Sequence, residues 1–260
     1  MRRAVPSTFK VMTWNLENLF LPGEEGGPND QAIFDQKLDA LATIILQLAP
    51  NVLAVQEVGS AAAFDALRNV LLAQYPHAQL SNLPDRRGIR VGVLSRLPIV
   101  EHEDFAAFPK GVFEQLPGID GFGNPEPCAR MSRGALRVVV RPVPELAVHL
   151  VAVHFKSKLL SFPSTSGRVR FSPRAEDERA FVGGLALLRR TAEAVTVRVR
   201  ANQLLADHRN QAVIVLGDFN DVTDAATTQL LQGPPGSEIG TKGFDWPDRG
   251  TLPGFSTLPR

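Results

Sequence analysis

Cysteine is almost absent. Cys128 stands alone in 260 residues, which excludes an intramolecular disulfide framework and any zinc site built on several thiolates. Long apolar runs are missing as well. No stretch approaches the roughly 18 residues that a membrane span needs, and Met1 to Lys10 carries two arginines with no apolar segment of signal-peptide type behind them. The expectation is a cytoplasmic protein with no membrane partner. Charge of one sign is lacking too: 28 Lys and Arg against 27 Asp and Glu leave +1, which argues for no particular partner. What is present is 44% hydrophobic and 21% charged residues with 21 Gly and 20 Pro. That composition belongs to globular chains and excludes disordered and collagen-like ones. The length allows one large domain with a sizeable core, and residues 1–260 are read as a single domain.

The near-neutral total hides an uneven distribution. Between Lys156 and Arg200 there are ten Lys and Arg against four acids, a local charge of +6. Such a segment is either an electrostatic footprint for phosphates or the solvated face of a helix, and the sequence leaves both open.

Short Val-rich runs bounded by turn residues read as strands: Val11–Leu16, Val52–Val55, Val91–Leu94, Ala135–Val140, Leu146–Val153 and Ala212–Leu216. Between the first two, Phe34, Leu38, Leu41, Ile45 and Leu48 recur at spacings of three and four, a helical face closed by Pro50. Ser60 is a candidate N-cap for a second helix with Phe64, Leu67 and Leu71 as its stripe. A third helix is expected over about 175–206, carrying Leu185, Leu188, Ala192, Val195 and Val199. The order implies a mixed α/β layered domain without internal repeats. Three long loops, Pro22–Asp30, Pro109–Pro127 and Leu160–Pro173, are places where binding residues often sit.

Four apolar strands end in groups that chemistry can use. The first delivers Asn15, the second Gln56 and Glu57, the fifth His154, Lys156 and Lys158, and the sixth Asp218, Asn220 and Asp221. Strand ends that converge on one rim are favoured ligand positions in α/β proteins. Glu57 with Asn15 offers hard oxygen ligands of the kind Mg²⁺ takes. Asp218 is suited to orient a water, and Asn220, His154 and Lys156 to contact phosphate oxygens, so the set describes metal-assisted hydrolysis of a phosphate ester. Each residue alone has an ordinary reading: Asn15 and Asn220 as turn residues, Glu57 as the first solvated position after a strand, His154 as a core histidine. Four coincident strand ends favour the chemical reading over the ordinary one.

Thr13-Trp-Asn-Leu-Glu-Asn18, Val55-Gln-Glu-Val58, His154-Phe-Lys-Ser-Lys158 and Gly217-Asp-Phe-Asn-Asp221 resemble, in order and spacing, the motifs of the endonuclease/exonuclease/phosphatase superfamily, the DNase I-like fold. Arg87-Gly-Ile-Arg-Val-Gly-Val-Leu-Ser-Arg96 is similar to the family's central strand segment. The resemblance implies a four-layer α/β sandwich of two mixed sheets flanked by helices. It also implies a divalent cation, Mg²⁺ or alternatively Mn²⁺, and in-line attack of water on a phosphoester. Carried over, Asn15 and Glu57 are metal-site residues and His154 bonds the scissile phosphate. Asp218 and Asn220 position the nucleophile and a phosphate oxygen. Lys156, Lys158 and Arg133 are expected to bind substrate phosphate, with Gln56 and Asp221 in support.

The family also closes with a Ser-Asp-His-like motif near its C-terminus. After Asp221 this sequence has no histidine, and His77, His102, His149 and His208 fall in other segments. The expectation is therefore a fold whose closing strands and last catalytic pair are missing. Three functions remain open: a nuclease acting on DNA or RNA, a phosphomonoesterase or phospholipid-head-group hydrolase of the same fold, and a catalytically impaired metal- or phosphate-binding module. The basic stretch and the HFKSK motif place nucleic acid first as the expected partner.

Overall fold

The computed structural model describes residues 8–111, 113–166, 170–206 and 211–232. In chain order the elements are β1 (Val11–Leu19), α1 (Gln31–Leu48), β2 (Val52–Val58), α2 (Ala61–Leu71), β3 (His77–Leu80), β4 (Arg90–Ser95), β5 (Ile99–Ala107), β6 (Arg130–Val143), β7 (Leu146–His154), α3 (Glu176–Leu205), β8 (Gln211–Asp218) and α4 (Ala226–Gln232). The chain divides into two compact units. Residues 8–106, 132–154 and 211–218 make the first; residues 107–131, 155–206 and 219–232 make the second.

Two four-stranded sheets fill the first unit, ordered β1-β2-β4-β3 and β5-β6-β7-β8. Both are mixed. β1 runs parallel to β2 while β4 is antiparallel to it, and β7 runs antiparallel to β6 but parallel to β8. The two-residue period of a strand explains how one sheet serves two cores. Val52 and Ala54 of β2, with Val91 and Val93 of β4, face Leu136, Val138, Val140, Leu150 and Ala152 of the other sheet. Leu53 and Val55 point the opposite way, into a core with Phe34, Leu38, Leu41 and Ile45 of α1 and Phe64, Leu67 and Leu71 of α2. Strands buried on both faces lose the alternation of half-exposed strands, which is why β2 and β4 read as continuous apolar runs.

Local signals set the helix limits. Asp30 caps α1 by accepting from Ile33 N–H at 2.9 Å, and the helix stops where Ala49 turns left-handed at φ +50° just before Pro50. Ser60 accepts from Ala63 N–H at 3.1 Å, as expected of the cap of α2. The expected stripes hold on α1 and α2, except that Leu48 is exposed. On α3 the expected stripe holds only in part: Ala192 is buried and Leu185 and Val195 are half-buried. Leu188 and Val199 face solvent while Val182, Ala186, Val197 and Ala201 are buried along with charged Arg190 and Glu193. An apolar-only count misplaces a face that buries an ion network.

The sequence pattern does not predict strands β3 and β5 or helix α4. The four residues of β3 carry too little pattern, and the sequence of β5, IVEHEDFAA, is charged on the exposed side of an edge strand. The long loop 109–127 is ordered by isolated bridges, Leu116 with Cys128 and Ile119 with Pro125. The expectation for the closing strands falls on residues 233–260, outside the described residues. Among the described residues no helix is long and apolar enough to cross a membrane.

Candidate active site

The site of the first unit is built by irregularities in β1 and β2. Asn15 pairs with Gln56 and pairing resumes at Leu19 with Val58, so four steps of β1 oppose two of β2. On its other side β2 goes from Val55 opposite Gly92 to Val58 opposite Arg90, one residue more than β4 supplies. Bulges of this kind bend a strand and re-aim side chains. Here they are accommodated by left-handed backbone at Glu17, Asn18 and Glu57, with φ of +50°, +61° and +62°. A glutamate in this region costs about 1–2 kcal/mol, and such strain concentrates at functional positions.

The strained backbone is held by side chains of the site itself and by Lys37. Glu57 Oε2 accepts from Asn18 N–H at 2.9 Å, and Asn15 Oδ1 accepts from Glu17 N–H at 2.9 Å. Lys37 of α1 donates to the carbonyls of Glu17 and Asn18 at 2.7 and 3.3 Å. Its ammonium pKa is lowered, chiefly by burial, with Glu17 and Glu57 opposing. Asn15 Nδ2 then donates to Glu57 Oε1 at 3.0 Å and to Asp218 Oδ2 at 2.9 Å, bridging two carboxylates that stand far apart in sequence. Gln56 is buried and exchanges hydrogen bonds with Thr13, fixing the two strands beside the bulge.

Asp218 reaches this point because β8 runs parallel to β7 in a register that ends at His154 opposite Asp218. The approach needs glycine at the preceding position. Gly217 has φ +142°, and a Cβ there would lie 2.0 Å from the Val153 carbonyl oxygen.

His154 is buried, with Nε2 3.7 Å from Asp218 Oδ2 and 3.9 Å from Glu57 Oε1. These separations are too long for direct hydrogen bonds and short enough for both carboxylates to face the ring. Its Nδ1 is buried with no hydrogen-bond partner among the described residues. Burial, reinforced by the Arg133 guanidinium and opposed by Asp218, pushes the imidazole pKa down to about 3, so the ring is neutral at pH 7. Arg133 on β6 is itself buried and gives Nε to Asp85 Oδ2 at 3.1 Å. Arg87, from the turn that Asp85 opens, donates Nη2 to Asn18 Oδ1 at 3.2 Å.

Asn220, Lys156, Lys158 and Asp221 lie in the second unit. Asn220, left-handed at φ +52°, donates to Phe155 O at 3.0 Å. Lys156 Nζ donates to the carbonyls of Ser157 and Leu159, both at 3.2 Å, and Lys158 Nζ meets Asp221 Oδ1 at 2.5 Å. Asp221 also pairs with buried Arg190 at 3.3 Å and accepts from Thr227 at 2.6 Å. Burial alone would raise the Asp221 pKa, but these bonds and the Val222 N–H hold it down at about 2. Arg190 donates to Lys156 O at 3.1 Å and Glu193 accepts from Lys156 N–H at 2.5 Å, so both backbone groups of Lys156 are held by α3. Much of the basic stretch is paired in the same unit: Arg170 with Glu178, Arg179 with Glu176 and Arg189 with Glu193.

The structure thus brings together Asn15, Glu57, His154 and Asp218, with Arg133 close enough to depress the imidazole. Sequence reasoning missed Lys37 and Asp85, which act through backbone carbonyls and through an arginine; a lysine on a helix and an aspartate opening a turn give no signal of either role. Among the described residues no cluster of three or more His, Cys, Asp and Glu is gathered as metal ligands. The donor chemistry still fits a hard divalent cation, because two carboxylate oxygens, Glu57 Oε1 and Asp218 Oδ2, converge on a single amide nitrogen.

The profile of the Endonuclease/Exonuclease/phosphatase family matches residues 12–260. The chain belongs to this family. The family's members are hydrolytic phosphoesterases. Among solved structures, the chain is similar to sphingomyelinase C from Streptomyces griseocarneus at 20% identity and a TM-score of 0.51, covering 86% of this chain and 68% of that one. It is also similar to a β-hairpin deletion mutant of beta toxin from Staphylococcus aureus, at 14% identity and a TM-score of 0.50, covering 87% and 72%. TDP2 from C. elegans matches at 16% identity and a TM-score of 0.48, over 83% of this chain and 49% of that one. The chain therefore spans about half the length of that TDP2 chain. No curated protein matches it in sequence. The DNase I-like fold expected from the sequence, two mixed sheets flanked by helices, is the fold observed, with four helices among the described residues.

Proposed function

We propose that this chain is a divalent-cation-dependent phosphodiester hydrolase whose preferred substrate is nucleic acid, DNA or RNA. The observation that carries the reading is the meeting of Glu57, Asp218 and neutral His154 around Asn15, at strand ends bent to bring them there.

Glu57 and Asn15 are the residues proposed to hold the cation, Mg²⁺ or Mn²⁺, with Asp218 beside them. When bound, the cation supplies Lewis-acid stabilisation of charge on a phosphoryl oxygen. Asn15 serves by keeping the two carboxylates in place through its Nδ2 donors. Asp218 accepts a hydrogen bond from the attacking water and orients it. His154, neutral and shielded from water, donates an N–H to a non-bridging oxygen of the phosphate without competing for the proton of the nucleophile. Arg133 adds fixed positive charge on the side of the imidazole. Asn220 and Lys156 are proposed to contact phosphate oxygens and Lys158 to contact the substrate backbone, after exchange of their present bonds.

Nucleic acid is favoured by the +6 charge of residues 156–200. A smaller phosphoester, a monoester or a phospholipid head group, is the second reading. It is favoured by the pairing of Lys158, Arg170, Arg179, Arg189 and Arg190 with carboxylates, which reduces the charge offered to a long polyanion. The deciding experiment compares plasmid, single-stranded DNA, RNA, sphingomyelin, 4-nitrophenyl phosphate and bis(4-nitrophenyl) phosphate with Mg²⁺ or Mn²⁺, beside Glu57→Ala and Asp218→Ala. Cleavage of nucleic acid that both substitutions abolish supports the first reading. Cleavage of lipid or monoester alone replaces it with the second, and binding without turnover leaves a metal- or phosphate-binding module.

A further inference from the structure

The turn from Asp85 to Ile89 carries none of the residues proposed to touch cation or substrate, yet its side chains reach both halves of the site. Gly88 N–H bonds Asp85 O at 3.0 Å and Asp85 N–H bonds Ile89 O at 2.9 Å, closing the turn just before β4. The two oxygens of Asp85 do different work. Oδ1 accepts from the N–H groups of Arg87 and Ile89 at 2.9 and 3.0 Å and so shapes the turn itself. Oδ2 accepts Arg133 Nε at 3.1 Å, in a pair whose side chains are only 13% and 10% exposed. A bond at Nε constrains the planar guanidinium about its last rotatable bond, Cδ–Nε.

Arg133 matters because of where β6 lies. In the β6–β7 ladder Leu136 is opposite Ala152, so Arg133, three residues back, and His154, two residues on, emerge at the same end of the pair. Arg87 works on the other half. It donates to the Asn18 side chain, and Asn18 N–H in turn bonds Glu57 Oε2.

We propose, on the phosphoester-hydrolase reading above, that Asp85 is a positioning residue. Through Oδ2 it aligns Arg133 toward the phosphoryl group beside His154, and through the turn shaped by Oδ1 it seats Arg87 against Asn18 and so steadies Glu57. The two arms separate by substitution. Asp85→Asn keeps an oxygen for the turn N–H groups but loses the carboxylate for Arg133, whereas Arg87→Met leaves Arg133 alone and releases Asn18.

The test reads kcat and KM on bis(4-nitrophenyl) phosphate together with the melting temperature as Mn²⁺ is titrated. Asp85→Asn is expected to lower kcat/KM by about tenfold to a hundredfold, the scale of a misplaced group of order 1 Å, with a wild-type response of melting temperature to Mn²⁺. Arg133→Gln should lose a similar factor, and the double variant should be no worse than the poorer single one, because the two act as one unit. Arg87→Met should raise the Mn²⁺ concentration at half-maximal thermal shift while leaving KM at saturating Mn²⁺ unchanged. Wild-type kcat/KM in Asp85→Asn, or losses that multiply in the double variant, would overturn the positioning role and leave the hydrolase reading standing. A wild-type chain that cleaves no phosphoester and gains no stability from Mn²⁺ or Mg²⁺ would remove both. Should Asp85→Asn not fold, Arg133→Lys, which keeps the charge and loses the Nε bond, carries the same expected loss and the same refutation.

Discussion

Replacing Gly217 by alanine is the sharpest local test of how the strand ends are assembled. Two costs act together. The backbone sits at φ +142°, where an L-residue is strained by roughly 1–3 kcal/mol. The added Cβ would also lie 2.0 Å from the Val153 carbonyl oxygen, a backbone atom of the neighbouring strand that cannot swing aside as a side-chain tip does. Restoring an ordinary contact requires a shift of order 1 Å in β7 or β8. That shift falls where His154 stands opposite Asp218. A displacement of this size in the reacting groups is worth about a hundredfold in rate. The stability loss is about 3 kcal/mol or more, which lowers the melting temperature by about 6–12 °C at roughly 2–4 °C per kcal/mol for a chain of this size. Calorimetry of Gly217→Ala and wild type, with kcat/KM on a chromogenic phosphodiester, measures both. A melting temperature within 1–2 °C of wild type and unaltered turnover would refute the reasoning, since strain and clash would then both be relieved without moving Asp218.

Further outcomes follow from other contacts. Ser60→Ala removes the cap of α2 and should cost about 1 kcal/mol in urea unfolding without affecting turnover. Because the His154 pKa is depressed in the folded state, the unfolded chain binds more protons below its ordinary value near 6.5, so stability should fall as pH drops from 6.5 toward 5. His154→Gln should flatten that fall by about 2 kcal/mol, and an equally steep fall in the variant would assign the acid lability to other groups, such as buried His149, whose pKa is also lowered. Arg190→Ala leaves buried Asp221 without its arginine and should destabilise the chain by about 3 kcal/mol, read by chemical denaturation; a loss under 0.5 kcal/mol would mean that Lys158 and Thr227 suffice.

The parts of the fold legible in the sequence are those governed by local or periodic signals. The Val-rich strands β2, β4 and β8, the Ser60 cap and the apolar faces of α1 and α2 are of this kind, and so is the clustering of polar groups at strand ends. The rest depends on partners remote in sequence. Strand β5 could not be separated from a charged loop, because only its pairing with β6 makes a strand of it. The buried face of α3 includes Arg190 and Glu193, which read as solvated until Asp221 and the Lys156 backbone are seen beside them. At the site, the resemblance named Asn15 and Glu57, but the two bulges that turn Glu57 inward are visible only in the registers of β1 with β2 and of β2 with β4. Lys37 and Asp85 gave no signal because they support through carbonyls and through another side chain.

The proposed role of Glu57 and Asp218 in cation-assisted phosphoester hydrolysis is read from the Mn²⁺ dependence of phosphodiester turnover in wild type, Glu57→Gln and Asp218→Asn side by side. Turnover in the wild type is expected to rise with Mn²⁺ and stop on chelation, with losses of about a hundredfold or more in both variants and folded-state circular dichroism unchanged. Equal turnover in all three proteins, or turnover indifferent to chelation, would contradict that role.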